Sequence, residues 1–216
     1  MYIGRIVSVA MTKDGRICAG YRVSSRSFPN RMAVVQGDAV SIIPQPGHEA
    51  DVQKNPYIAY HCIRLVCGGG VAVVTNGSQT DPIAEKIALG MPYRDAMVLS
   101  MLTLDYEKDQ YNTPRICAVA DAREGGAGWL GVIREDGLET RRMQLAPGRF
   151  FYVATYEENM ISETQGGRFE ADTAAQACEA MFTGDVFRDR TNAVTAAAAM
   201  VHDGRFELAV MEAGAA

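Results

Sequence analysis

The segment YRVSSRSFPNR, from Tyr21 to Arg31, concentrates hydrogen-bond donors that suit an anion. It holds three arginines, three serines and an asparagine without one acidic side chain. Guanidinium groups bind phosphate oxygens in bidentate fashion, and hydroxyl groups donate to the oxygens that remain. A strand that ends near Val23 leaves Ser24 to Arg31 as a loop, which we interpret as a phosphate-binding loop. A solvated loop whose arginines pair with distant carboxylates is the alternative.

Two further segments carry residue types that suit a nucleotide. In NPYIAYHCIR, Tyr57 and Tyr60 either stack on a planar ligand or fill the core. In TNGSQTDP, a polar turn precedes a predicted helix and presents free N–H groups to an anion. Ordinary helix capping accounts for the same polar residues, which are Asn76, Gly77, Ser78 and Thr80.

The acidic segment LDYEKDQYNTPR, from Leu104 to Arg115, is either a solvated helix end or the source of a carboxylate for proton transfer. If a helix persists through the segment, Asp105 continues its buried face and Glu107 turns away. If the helix ends before Tyr106, either acid can enter a pocket. Spacing alone leaves both outcomes open.

Composition limits the classes of function. The chain has 216 residues, of which 48% are hydrophobic and 22% are charged, so we expect one globular domain over residues 1–216. A net charge of −5 argues against general affinity for nucleic acid or an anionic membrane. Since no apolar run approaches the ~18 to 20 residues of a membrane span, we expect a soluble cytoplasmic protein without membrane or nucleic-acid partners.

The cysteines and histidines are scattered and form no CxxC pair, HExxH motif or mixed cluster. This pattern indicates reduced thiols and disfavours a metal centre. The residues are Cys18, Cys62, Cys67, Cys117, Cys178, His48, His61 and His202.

Asp-Gly pairs at positions 14–15, 136–137 and 203–204 each separate two strand-like runs and predict three hairpins. Further strands are predicted in RICAGYRV, AVSIIP, GGVAVVTN, PRICAVAD and RFFYVATY. Consecutive hairpins with inserted helices indicate an α+β protein, and we expect two stacked sheets with the helices outside.

Two helices are predicted in the middle of the chain. The first begins at Asp81-Pro82 and ends at Gly90, and the second opens at Pro92 and runs to about Asp105. The second should bury one apolar stripe, formed by Met97, Val98, Met101 and Leu102.

A third helix is predicted in ADTAAQACEAMFTG. Asp172 is expected to cap its start and Gly184 to end it. The inward-facing residues should be Ala174, Ala177, Cys178 and Met181.

In order and spacing, these motifs resemble the archaeal-type IMP cyclohydrolase family. The resemblance spans nearly the whole chain, although residues 123–190 match less distinctly. The segments that carry it are YRVSSRSFPNR, NPYIAYHCIR, TNGSQTD, the ALGM of Ala88 to Met91, DYEKD, NTPRI and the VTAAAA of Val194 to Ala199.

The resemblance implies a four-layer αββα fold of the N-terminal-nucleophile hydrolase type, without the nucleophile of that fold, since Met1 is followed by Tyr2. It also implies the dehydrative closure of 5-formamido-1-(5-phosphoribosyl)imidazole-4-carboxamide to IMP in de novo purine biosynthesis. The partners are then a purine nucleotide substrate and product, and a homo-oligomer is left open. Because both reacting groups belong to one molecule, the reaction needs neither a covalent nucleophile nor a cofactor.

The resemblance also assigns roles to residues. Glu107 matches the acid-base carboxylate of the family, and Arg31 matches the cation that stabilises the oxyanion. Asn30 is expected to orient the base, and Tyr57 to pack on the imidazole. The candidates for binding phosphate and ribose are Arg22, Ser24, Ser25, Arg26, Asn76, Ser78 and Thr80.

Two other functions stay open at this stage. An amide-bond hydrolase of the same architecture would have to process itself to a Ser, Thr or Cys end. A purine-nucleotide-binding regulator would bind IMP and leave the formamido substrate unchanged. RNA binding would need a broad basic face, which the net charge disfavours.

Overall fold

The computed structural model describes residues 2–123 and 127–214. Its strands in chain order are β1 (Ile6–Met11), β2 (Ile17–Ser24), β3 (Arg31–Gln36), β4 (Ala39–Pro44), β5 (Tyr60–Val66), β6 (Val71–Thr75), β7 (Arg115–Asp121), β8 (Ala127–Arg134), β9 (Gly137–Gln144), β10 (Arg149–Ala154), β11 (Gly166–Arg168), β12 (Ala193–His202) and β13 (Arg205–Glu212). The helices are α1 (Asp51–Lys54), α2 (Thr80–Ala88), α3 (Tyr93–Leu104) and α4 (Ala174–Thr183), with 3₁₀ turns at Pro56–Ile58 and Asp185–Phe187.

The strands form two antiparallel sheets. The first has the order β11-β10-β1-β2-β12-β13, and the second has the order β3-β4-β5-β6-β7-β8-β9. The three predicted Asp-Gly hairpins are confirmed, because they join β1 to β2, β8 to β9 and β12 to β13. In the first sheet, Tyr21 of β2 pairs with Val7 on one side and Ala197 on the other.

The main core lies between the sheets. Strand β2 turns Ala19, Tyr21 and Val23 towards this core, because alternate side chains of a strand point to opposite faces. The second sheet contributes Ile63 and Ile116 to the same cluster. Burial of these apolar side chains holds the sheets together.

The helices cover the outer faces of the sheets. Helix α4 packs Ala177, Cys178 and Met181 against the outer face of the first sheet. Helices α2 and α3 cover the second sheet and bury Ile83 and Met97. The chain is therefore a mixed α/β protein of mostly antiparallel sheets with few helices.

The structure corrects two details of the predicted helices. In α3, Leu102 is 64% exposed, and the buried residues are Ala96, Met97, Ser100 and Met101. The error is rotational: rows 96–100 and 97–101 face inward, and position 102 lies a further 100° around the helix. In α4, the N-cap is Thr173, whose hydroxyl accepts from the Gln176 amide at 3.2 Å, so Asp172 lies outside the helix.

No helix in the described part of the chain is long and apolar enough to cross a membrane. Within residues 2–123 and 127–214, no group of three or more His, Cys, Asp and Glu side chains is placed to hold a metal ion. The five cysteines are free thiols, and Cys67 is the exposed one.

Candidate active site

A cavity of about 700 Å³ opens beside the loop that follows β2. The 3₁₀ turn at Pro56–Ile58 and the segment after α3 form its other walls. Four lining side chains are cationic, namely Arg5, Arg26, Arg31 and Lys54, and Asp109 is the acid among the described lining residues. This balance of charge favours an anionic ligand.

The loop between β2 and β3 is held by its own hydrogen bonds. The Ser25 hydroxyl accepts from the Phe28 amide at 3.0 Å, and the Arg31 amide donates to the Pro29 carbonyl at 2.9 Å. Arg31 is the first residue of β3 and is only 1% exposed, although it contributes to the cavity wall. Its Nε donates to the Phe28 carbonyl at 3.1 Å, and its buried Nη1 has no acceptor among the described residues.

The backbone after α3 determines which acid of DYEKD turns inward. Helix α3 ends at Leu104, and Asp105 adopts φ +57° and ψ −177°, a conformation that costs energy in residues other than glycine. The Asp105 carbonyl accepts from Arg115 Nε at 2.7 Å, and the Glu107 amide donates to the Thr113 carbonyl at 2.8 Å. The chain therefore leaves the helix before Tyr106, and Glu107 becomes buried.

Glu107 is paired with arginine. Its Oε2 accepts from Arg5 Nη2 at 2.9 Å, while Oε1 lies 3.9 Å from Arg115 Nη1 and has no hydrogen-bond partner within residues 2–123 and 127–214. Burial raises the pKa of Glu107, and the charges of Arg5 and Arg115 act in the opposite direction. Glu107 lies behind the cavity wall, because Arg5 lines the cavity and the carboxylate does not.

The turn before α2 supports the contact between Glu107 and Arg115. Gln79 Oε1 accepts from Arg115 Nη1 at 3.0 Å, and the Asn76 amide bonds Ile116 N, Gln79 Nε2 and the Pro114 carbonyl. Gly77 makes the close approach feasible, since a Cβ there would lie 2.6 Å from Arg115 Nη1. Asn76 therefore holds protein groups together, and its side chain does not line the cavity.

Aromatic rings form two walls of the cavity. Tyr2 and Tyr156 stack with their ring centroids 5.6 Å apart, and the Arg26 guanidinium carbon lies 4.2 Å from the centroid of the Tyr2 ring. On the other side, Tyr57 lines the cavity, and the Arg115 guanidinium carbon lies 5.7 Å from its ring centroid. Flat faces of this kind can pack against a planar heterocycle.

The structure brings four of the sequence-predicted site residues into one cavity, namely Arg31, Ser25, Arg26 and Tyr57. Glu107 is joined to them through Arg5. The remaining six do not line the cavity, and their contact with a ligand stays a prediction: Arg22, Ser24, Asn30, Asn76, Ser78 and Thr80.

Arg22 lies on the opposite face of β2 from Tyr21 and reaches the helix side of the first sheet. It is fully buried and donates to the main-chain carbonyls of Met181, Phe187 and Arg190 at 2.7 to 3.1 Å. Burial, together with the charge of Arg190, lowers the pKa of Arg22 to about 10. Its Nε bonds the Ser24 hydroxyl at 3.1 Å, so both residues of the predicted phosphate set have structural partners instead.

The other outlying candidates have local partners or face solvent. The Asn30 side chain shares a hydrogen bond of 3.1 Å with His48 Nδ1. The Thr80 hydroxyl is buried and bonds the carbonyls of His61 and Gly77, as a residue of a helix start does. Ser78 is exposed next to this turn.

Sequence reasoning missed Arg5, Tyr2 and Tyr156 as cavity residues and gave Arg115 no role. Arg5 is a single charge beside the first apolar strand, and Tyr156 follows β10, so no local pattern joins them. Arg115 lies in NTPRI, which the resemblance included, and a positive charge that begins a fully buried strand is the signal that would have found it.

These features define the class: a mixed α/β protein of two stacked antiparallel sheets, with a cationic, aromatic cavity suited to a small planar anion. A family model described as IMP cyclohydrolase-like protein matches residues 2–205. The chain belongs to the IMP cyclohydrolase family.

Curated relatives match along nearly their full lengths. The chain is 48% identical to the IMP cyclohydrolase of Methanosphaera stadtmanae over 94% of this chain and 96% of the relative. Identity to the IMP cyclohydrolase of Methanocella arvoryzae is 45%, over 97% and 98% of the two chains. For the IMP cyclohydrolase of Methanococcus maripaludis strain S2 it is 43%, over 98% and 100%.

Proposed function

We propose that this protein is an IMP cyclohydrolase, which closes the ring of 5-formamido-1-(5-phosphoribosyl)imidazole-4-carboxamide to give IMP and water. The observation that carries this assignment is the 48% identity, over 94% of the chain, to a relative with that name. The cationic cavity supports it, because both substrate and product are planar heterocycles that carry a phosphate. The reaction belongs to purine nucleotide biosynthesis.

The reaction is a rearrangement within one molecule. The carboxamide nitrogen loses a proton and forms a bond to the formyl carbon, whose C=O electron pair moves to the oxygen. That oxygen then leaves as water, with one proton from the carboxamide nitrogen and one from the formamido nitrogen, so no other reactant is consumed. Holding the two substituents coplanar and close supplies much of the reduction in the barrier.

Glu107 is proposed as the general base. Its buried position raises its pKa and therefore its strength as a base, and its Oε1 lacks a hydrogen-bond donor among the described residues. Because Arg5 lies on the cavity side of the carboxylate, the proton is proposed to reach Glu107 through one bridging water.

Arg31 is proposed to stabilise the oxyanion that forms on the formyl oxygen. Its guanidinium is buried, its Nε is fixed by the Phe28 carbonyl, and its Nη1 has no acceptor in the described part of the chain. A fixed donor in a site of low dielectric stabilises a developing negative charge without reorganisation. Ser25 and Arg26 are proposed to bind the phosphate, and Tyr57 to pack on the imidazole.

The fold is proposed to be the four-layer αββα arrangement of the N-terminal-nucleophile hydrolases, with acid-base chemistry in place of their nucleophile. Helix α4 on one side and helices α2 and α3 on the other support this assignment. We place the protein in the cytoplasm, since free and mostly buried thiols suit a reducing compartment.

The assay for the function uses the purified protein and the formamido ribonucleotide, without added metal. The appearance of hypoxanthine absorbance at a rate proportional to the protein concentration is the expected result. Binding of IMP without turnover would indicate the regulator instead. The Glu163→Gln variant is a suitable control and should turn over the substrate as wild type does. Glu163 is 73% exposed and lies outside the cavity.

A further inference from the structure

Ring closure places negative charge on two oxygens of the substrate. One is the formyl oxygen, to which Arg31 is assigned. The other is the carboxamide oxygen, because a carboxamide nitrogen that loses a proton shares its charge with the carbonyl beside it. A site that stabilises only the first oxygen leaves the deprotonation step without electrostatic support.

Arg5 has the position and the free donors to serve the second oxygen. It lines the cavity, and its side chain is 12% exposed. A guanidinium carries five N–H groups. Within residues 2–123 and 127–214, the side chain of Arg5 makes one hydrogen bond, from Nη2 to Glu107 Oε2, and its buried Nε has no acceptor.

The charge of Arg5 is secure despite its burial. Burial is the largest influence on the pKa of Arg5 and acts to lower it, but Glu107 and the nearby Tyr60, Tyr21 and Tyr156 together outweigh burial, so the pKa lies above its ordinary value. The ion pair also holds Arg5 Nη2 at 2.9 Å from the carboxylate. A group that donates to the carboxamide oxygen from this position keeps the adjacent nitrogen within reach of Glu107 through one bridging water.

We propose that Arg5 is a further catalytic residue, whose guanidinium donates to the carboxamide oxygen of the substrate while Glu107 takes the proton from the neighbouring nitrogen. This inference rests on the proposed function and adds a second electrophilic arginine to it. The two arginines have different targets: Arg31 donates to the formyl oxygen, and Arg5 donates to the carboxamide oxygen. The proton passes from the carboxamide nitrogen to Glu107, and Arg5 neither gains nor loses a proton.

The product gives a direct test, because the carboxamide oxygen becomes O6 of IMP. The 6-thio analogue of IMP replaces this oxygen with sulfur, a weak hydrogen-bond acceptor. We expect wild-type protein to bind IMP about tenfold more tightly than 6-thio-IMP by calorimetry, since a hydrogen bond from a charged donor is lost. Equal affinities would overturn the proposal without any substitution in the protein.

Variants locate the effect on Arg5. Removing Arg5 alone leaves Glu107 as a buried charge without its partner, so the comparison is made in the Glu107→Gln background. Glu107→Gln should keep the tenfold ratio, because glutamine still offers an oxygen to Arg5. The Arg5→Met/Glu107→Gln double variant should bind IMP and 6-thio-IMP equally.

The matched control is Arg26→Met, which removes another cavity arginine and should keep the ratio. The proposal is overturned if the double variant retains the tenfold ratio, or if Arg26→Met loses it. These measurements need no turnover. Failure of the ring-closure assay would therefore contradict the proposed function, whereas successful ring closure with an unchanged ratio would contradict only the role of Arg5.

Discussion

Arg5 Nη2 lies 2.9 Å from Glu107 Oε2, and this contact joins a cavity-lining cation to a carboxylate that is 1% exposed. Their backbones are 102 residues apart in sequence. The pair connects the proposed general base to a cavity that its carboxylate does not itself line. It also makes the protonation of Glu107 measurable through both activity and stability.

Glu107→Gln should retain the fold and lose at least about 100-fold in kcat, because an amide cannot accept the proton. Steady-state kinetics with the formamido ribonucleotide measures the loss, and circular dichroism checks the fold. Glu163→Gln should leave kcat unchanged, since Glu163 pairs with Arg141 at the surface. A Glu107→Gln variant with more than a tenth of the wild-type kcat would contradict the role of Glu107 as the base.

Arg31→Lys should retain part of the activity, whereas Arg31→Met should lose more. Lysine keeps the charge but lacks the planar donors and the hydrogen bond from Nε to the Phe28 carbonyl. We expect kcat to be highest in wild type, lower in Arg31→Lys and lowest in Arg31→Met. An Arg31→Lys enzyme with wild-type kcat would show that the oxyanion is stabilised by another group.

The pH dependence should show the raised pKa of Glu107. Since the base works deprotonated, kcat/KM should fall on the acid side at a pH above the ~4.3 of an exposed glutamate. The contribution of Glu107 to the free energy of unfolding should instead decline as the pH rises. A carboxyl whose pKa is raised by folding contributes its stabilisation below the unfolded pKa and loses it as the pH rises through the folded value.

Chemical denaturation at several pH values, for wild type and Glu107→Gln, measures this second effect. The free energy of unfolding of wild type relative to the variant should decline as the pH rises through the acid limb of the rate profile. A difference that stays constant with pH would mean that the pKa of Glu107 is not raised by folding.

Arg22→Met and Arg26→Met should separate structure from binding. Arg22 bonds three main-chain carbonyls, so its loss should cost about 2 to 4 kcal/mol of stability and leave the affinity for IMP within about twofold. Arg26 is exposed at the cavity, so its loss should weaken IMP binding about tenfold with little change in stability. The reverse pattern would return Arg22 to the phosphate site.

Gly77→Ala should reduce both stability and turnover. The new Cβ would lie 2.6 Å from Arg115 Nη1, and Arg115 cannot move freely because the Asp105 carbonyl and Gln79 hold it. We expect a loss of about 1 to 3 kcal/mol, typical of overpacking, measured by thermal unfolding. Gly137→Ala is the control, since no atom lies within 4 Å of its Cβ position; equal effects in the two variants would exclude crowding at Arg115 as the cause.

Local chemistry explains which parts of the fold were predictable. The Asp-Gly turns and the Pro and Gly boundaries of α2 and α3 act within a few residues, and these elements were found. Strands β3, β5 and β11 were not predicted. The last two residues of β3 are exposed, and β11 has three residues, two of them glycine. Neither β3 nor β11 therefore has a strong pattern of alternating apolar residues. The pairing of β1 with β10, such as Ile6 with Ala154, is a long-range choice without a local signal.

That several of the proposed site residues line one cavity was predictable mainly where they share a segment. The loop that carries Ser25, Arg26 and Arg31 lines one cavity, as its sequence predicted. The sequence around Arg5 contains no pattern that predicts its contact with Glu107. Arg22 shows the opposite case. Tyr21 and Val23 are apolar, so strict alternation along the strand already assigns Arg22 to the other face of the sheet.

Arg5 and Arg31 are anchored on different sheets, because Arg5 directly precedes β1 of the first sheet and Arg31 opens β3 of the second. A nucleotide held by both therefore acts as a cross-link over the seam between the sheets. Any slippage of one sheet against the other would change the separation of the two guanidinium groups and loosen the ligand. By linkage, the occupied protein should resist unfolding more than the empty one, and its amide hydrogens should exchange more slowly on both sides of that seam.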